Sequence, residues 1–147
     1  MIHVKLANYE LPTLHKILYE LELTSKQSRM RTRFCKLLED RIIEMEEEKN
    51  KLIHQYAEYD ENGQIVMKKN EEGKNLFTIK DVNVAAFNRE MDILMREDFI
   101  LDETEERKEM LLTVSNIILN IETPFSKENA LYYDRYCEVL ENLSYAK

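Results

Sequence analysis

Residues 24–60 read TSKQSRMRTRFCKLLEDRIIEMEEEKNKLIHQYAEYD. No Gly or Pro interrupts them, and Met30, Phe34, Leu37, Leu38, Ile42, Met45, Leu52, Tyr56 and Tyr59 recur mostly by three or four. That spacing puts an apolar stripe on one side of a helix. Thr24 and Gln27 have the spacing of a capping box, which sets the helix start. Lys49 takes a rung of the ladder and weakens the stripe there, while Glu47 and Lys51 stand at the favourable i,i+4 distance. About 35 residues at about 1.5 Å each give roughly 50 Å of helix. A compact chain of this size is about 40 Å across. The expected fold is therefore elongated, mainly α with a small β element (α+β), and built on this helix.

The helix is electrically polarised. Its opening TSKQSRMRTRFCK holds five cations and no acid, and the remainder is dominated by acid. Lys26, Arg29, Arg33 and Lys36 follow i, i+3, i+7, i+10 and share one stripe, with Arg31 about 200° away from Arg29. Cations in the first turns oppose the positive end of the helix dipole, so the pattern calls for a compensating partner. Three are open: acids on neighbouring helices near Glu103 to Glu106, an acidic protein surface or the Glu44 to Glu48 region of a second copy packed antiparallel, or nucleic-acid phosphate. The last is disfavoured by the lack of interleaved aromatics and by the charge of the whole chain.

The rest of the chain fits a single domain around that helix. Ile2 to Leu6 alternates like a short strand, and Leu11, Leu14, Ile17, Leu18 and Leu21 form a first helix ending near Leu23, with Pro12 in its first turn. After the long helix, residues 61–80 read as a β-hairpin: Asp60-Glu61-Asn62-Gly63 and Asn70-Glu71-Glu72-Gly73 are turn signals beside strands at 64–67 and 75–79. Such a hairpin needs support, from the helices or from the N-terminal strand. Residues 81–147 hold three helices. The first starts at Asp81 or Asn83. The second has Asp102 to Glu106 in its first turn, and its Val- and Ile-rich end is also compatible with a strand. Ser126 caps the third. Phe99 to Leu101 reads as a brief strand.

Composition narrows the chemistry. The chain has 147 residues, 44% hydrophobic and 34% charged, with a formal net charge of −8. This is too apolar for disorder, and the acidity argues against general nucleic-acid or membrane binding. The start MIHVKLANYE has no signal-peptide pattern and no apolar run approaches about 18 residues, so a soluble, cytoplasmic protein without membrane partners is expected. Cys35 and Cys137 match no zinc or redox spacing and are expected as buried thiols. His3, His15 and His54 lie in separate elements, which predicts no metal site. Both glycines sit in turns, leaving none for a phosphate loop, and no carboxylate pair is singled out as an acid–base couple. No catalytic residue and no cofactor are predicted. The residues set apart for interaction are Lys26, Arg29, Arg31, Arg33 and Lys36, with Tyr132 and Tyr136. Among the tyrosines Tyr133 is expected in the core, with Tyr132 and Tyr136 at its rim.

The segment Ser28-Arg29-Met30-Arg31-Thr32-Arg33-Phe34, the charged helix after it and Asp60-Glu61-Asn62-Gly63 resemble a family of phage and prophage proteins, domain of unknown function 1617. Ala130-Leu131-Tyr132-Tyr133-Asp134 with Cys137-Glu138 is similar to that family's ending. The likeness spans nearly the whole chain, is carried chiefly by SRMRTRF, and brings no catalytic residues. It implies a non-enzymatic phage protein made in a bacterial host and working through protein contacts, in particle assembly or as an accessory component of the tail region. A host-takeover or anti-defence protein that inhibits a bacterial protein is the alternative, and a nucleic-acid binder using the basic stripe the third.

Overall fold

The computed structural model describes residues 3–145, with the side chain of His3 set aside; the predicted strand position Ile2 lies outside this range. In chain order the elements are β1 (His3–Ala7), a 3₁₀ turn (Asn8–Glu10), α1 (Leu11–Tyr19), α2 (Ser25–Tyr56), β2 (Met67–Lys69), β3 (Asn75–Phe77), α3 (Asp81–Arg96), β4 (Asp98–Asp102), α4 (Lys108–Leu119) and α5 (Lys127–Glu141). The class is α+β: five helices, one of them long, and two small antiparallel strand pairs among the described residues. Read from sequence as one domain, the chain divides into two compact units. One comprises the residues up to Ile43 with those from Glu97 onward, the other Glu44–Arg96. Helix α2 begins in the first and ends in the second.

In the first unit β1 pairs antiparallel with β4, setting Val4 opposite Leu101 and Leu6 opposite Phe99. These four are buried, while Lys5 and Ile100 face out, as the two-residue period of a strand requires. Against the ribbon pack Leu11, Leu14 and Leu18 of α1, Met30, Phe34 and Leu38 of α2, Leu111, Val114 and Ile118 of α4, and Tyr136 and Leu140 of α5. Phe34 and Leu38 are completely buried, and one such side chain contributes roughly 1.5–3 kcal/mol. The N-terminal strand thus pairs with residues 98–102, not with the hairpin.

Several boundaries move. Helix α1 stops at Tyr19 rather than near Leu23: the Leu18 carbonyl accepts the Leu21 amide in a tight turn, and Arg31 donates to the Leu18 and Leu21 carbonyls. Thr24 does stand directly before α2, and its Oγ1 accepts from the Gln27 amide at 3.5 Å. The acids Asp102 to Glu106 precede α4 and are not its first turn. Arg107 holds a separate turn there, donating from its amide to Thr104 Oγ1 and from Nη1 to the Asp102 carbonyl. The end of α4 is helical throughout. Ser126 occupies the N-cap of α5 without a side-chain bond, and Lys127 after it has φ 52°. Ser126 thus holds the expected position without the expected side-chain bond. Lys51 meets Glu48 at 3.2 Å, not Glu47.

In the second unit the chain leaving α2 supplies a third strand-like segment. Ala57 bridges Ile79 and Tyr59 bridges Ile65, around the predicted hairpin in which Met67 faces Phe77. Glu58 donates to the Thr78 carbonyl, Thr78 to Val66 and Val66 to Glu58, a closed ring of backbone bonds at 2.7–2.9 Å. Two equivalent turns close the loops. Asp60 Oδ1 accepts from the amides of Asn62 and Gln64, and Asn70 Oδ1 from those of Glu72 and Lys74. Gly63 and Gly73 follow with φ 76° and 80°, conformations that a side chain would strain. Phe87 of α3 meets Tyr56 and Phe77 edge-on, at 6.1 and 5.8 Å between centroids.

Candidate functional site

The first two turns of α5 carry Glu128, Leu131, Tyr132 and Arg135, an i, i+3, i+4, i+7 series that shares one side. Facing this stripe is the 3₁₀ turn that Asn8–Glu10 makes between β1 and α1. Tyr9 and Glu10 from the turn complete an open groove of about 430 Å³ with the four α5 residues. Leu131 is 74% exposed and Tyr9 47%. The Tyr9 and Tyr132 rings stand 6.5 Å apart at 60°, and the other contact of Tyr132 is a stacked one on Tyr136 at 6.1 Å.

A buried carboxylate fixes the floor. The Glu10 side chain is 5% exposed; Oε2 accepts from Arg135 Nε at 3.1 Å, and Oε1 from the Ala7 amide at 2.9 Å. Its backbone carbonyl accepts the Tyr136 hydroxyl. Burial raises the Tyr136 phenol well above its ordinary range, and the Glu10 carboxylate adds to the effect. Tyr132 is also raised, by partial burial first and then by the charges of Tyr9, Glu128 and Glu10. Both hydroxyls therefore stay protonated at neutral pH.

Two of the residues set apart from sequence are structural. Tyr136 is 1% exposed and belongs to the core. Its hydroxyl finds an acceptor in the Glu10 carbonyl, which lets a large phenol be fully buried. Tyr133, expected in the core, is half-buried, with its hydroxyl on the Ile118 carbonyl at 2.7 Å and its ring stacked on Phe125 at 4.7 Å. Arg31 turns back to α1, donating Nη1 to the Leu18 and Leu21 carbonyls and Nη2 to Ser28 Oγ. The Leu18 carbonyl also accepts the Leu21 amide at 3.3 Å, and the guanidinium adds a second donor there and one at Leu21. Tyr132 alone of the seven lines the tyrosine groove.

The basic stripe is partly paired. Lys26 lies 3.5 Å from Glu109 and Lys36 2.8 Å from Asp40, both pairs exposed. Internal pairing was expected from acids at Glu103 to Glu106; Glu109, just inside α4, provides it instead. Arg29 and Arg33 are exposed and line a second hollow of about 390 Å³ with Ser25, Lys26, Met30 and Glu109. It contains both charge signs.

His15 has structural partners. His15 Nε2 contacts Glu39 Oε1 at 2.8 Å, and its ring stacks on Tyr19 at 5.8 Å. Cys35 is buried and Cys137 half-buried, both as free thiols; burial pushes Cys35 up to about 11. Among the described residues no three His, Cys, Asp or Glu side chains cluster to hold a metal, and no helix is long and apolar enough to cross a membrane.

Sequence reasoning missed Tyr9, Glu10, Glu128, Leu131 and Arg135. Arg135 carried a readable signal, since it extends the Glu128, Leu131, Tyr132 series. Tyr9 and Glu10 carried none, because only the 3₁₀ turn brings them to α5. Comparison of the chain with protein-family models, curated proteins and solved structures gives no match.

Proposed function

We propose that this chain is a non-enzymatic phage or prophage protein that acts through protein–protein contacts, as a particle-assembly or accessory component of the tail region, with the groove between the 3₁₀ turn and α5 as its contact face. The observation that carries the contact face is the exposure of Leu131 and Tyr9 beside Tyr132 over a floor locked by Glu10 and Arg135. Tyr and Arg are the side-chain types that dominate binding energy in protein interfaces, and a rigid floor lowers the ordering cost of binding. The phage context rests on the resemblance of SRMRTRF and the ALYYD ending. A host-directed inhibitor is the second reading, favoured by the net charge of −8, which draws an acidic protein toward basic surfaces.

Mass spectrometry of purified particles tests the first reading. Stoichiometric recovery of the chain in particles supports it; absence from particles, with co-purification of a host protein through the same groove, supports the second.

A further inference from the structure

We infer that the groove is a subsite for a cationic side chain, Lys or Arg, presented by a basic segment of a different protein. The inference rests on the contact-face reading and names the chemistry that the face selects.

The balance of charge in the groove decides the sign. Arg135 is held at Nε by the buried Glu10 carboxylate, so that pair is neutral overall. Glu128 is exposed on the helical stripe beside Tyr132 and, among the described residues, forms no ion pair within 4.0 Å. One negative charge without an ion-pair partner, in the first turn of α5, is left beside two tyrosine rings. Burial is the first cause of the raised Tyr132 phenol, and Glu128 is among the charges that add to it.

Shape points the same way. Two rings tilted by 60° at 6.5 Å form a two-walled corner, and aromatic faces attract cations through their quadrupole. Leu131, 74% exposed at the rim, matches the aliphatic stem that Lys and Arg carry below the charge. The chain's net charge of −8 would steer a basic segment toward it.

The test follows Tyr9, Leu131 and Tyr132 by NMR while the full chain is titrated with N-acetyl-arginine amide. The neutral N-acetyl-norleucine amide and the acidic N-acetyl-glutamate amide serve as comparisons. Saturable shifts at these residues with the arginine amide are expected, with binding about two- to fivefold tighter than for norleucine amide. Glu128→Gln should remove most of that preference, and Tyr132→Phe, which keeps the ring, should retain it. Equal binding of norleucine amide would overturn the inference in favour of a plain apolar face. Stronger binding of glutamate amide would overturn it in favour of an anion subsite on Arg135, and the absence of any saturable shift would remove the subsite altogether. Shifts of the same residues on concentrating the free chain, abolished by Arg33→Glu, would put a second copy there and overturn the assignment to a different protein. Absence of the chain from particles would count against the virion role yet leave these titrations unchanged, so the two failures are distinguishable.

Discussion

Arg31 and its neighbours Arg29 and Arg33 are alike in sequence and differ in use. Arg31 closes the end of α1 through two carbonyls, while Arg29 and Arg33 are exposed. Arg31→Ala leaves the Leu18 carbonyl its Leu21 amide but takes the guanidinium from both carbonyls in a half-buried site, and should cost about 1–3 kcal/mol in urea unfolding. Arg29→Ala or Arg33→Ala should stay within about 0.5 kcal/mol. An equal loss in all three would refute the distinction. Tyr136→Phe removes a buried hydroxyl from the Glu10 carbonyl, which as the α1 N-cap keeps its place at the head of the helix, and should cost about 0.5–1.5 kcal/mol with the fold retained. Cys35 makes a pH prediction. Its thiol titrates ordinarily near 9.0 and in the fold near about 11, so the native state retains the proton over that interval while the unfolded chain loses it. Stability should therefore fall as pH rises from about 9 to about 11, and the fall should be shallower in Cys35→Val. The raised Tyr136 phenol extends the loss further into alkali.

At the level of elements, what could be read from sequence was whatever local periodicity specifies. The apolar ladder of α2, the Thr24 start, and the turns at Asp60 and Asn70 all depend on residues close in sequence. Tertiary partners were less legible. The pairing of β1 with β4 joins residues nearly a hundred positions apart, and nothing in the alternation of Val4 and Leu6 distinguishes that partner from the hairpin. The start of α4 moved because Arg107 and Thr104 stabilise a turn where the acids suggested helix. Of the candidate site, only Tyr132 was singled out from sequence; Glu128, Leu131 and Arg135 share its helical spacing but were not, and the Glu10 half required the fold. Phe87 is the pivot of the second unit, with Tyr56 and Phe77 on its edges. Phe87→Ala should cost about 3–5 kcal/mol, seen as faster amide exchange across β2 and β3. Unchanged exchange there would contradict its role. Lys127 with φ 52° predicts that Lys127→Gly is tolerated or stabilising by up to about 1 kcal/mol, whereas Lys127→Val destabilises.

Across the whole molecule, charge and exposed apolar surface are distributed unevenly. The cations of α2 are largely tied to structure: Arg31 to carbonyls, Lys26 and Lys36 to nearby acids. The first unit also displays a groove in which exposed Leu131 and tyrosine rings stand over an internally neutralised Glu10–Arg135 pair. That division shifts the proposed contact from the basic stripe to α5. A photo-reactive amino acid at position 131, in cells producing the chain, tests this most directly. The account predicts one discrete crosslinked partner from position 131, lost on Tyr9→Ala, and none from the equally accessible position 82 on α3. Crosslinking from position 82 to the same partner with none from 131 would contradict it.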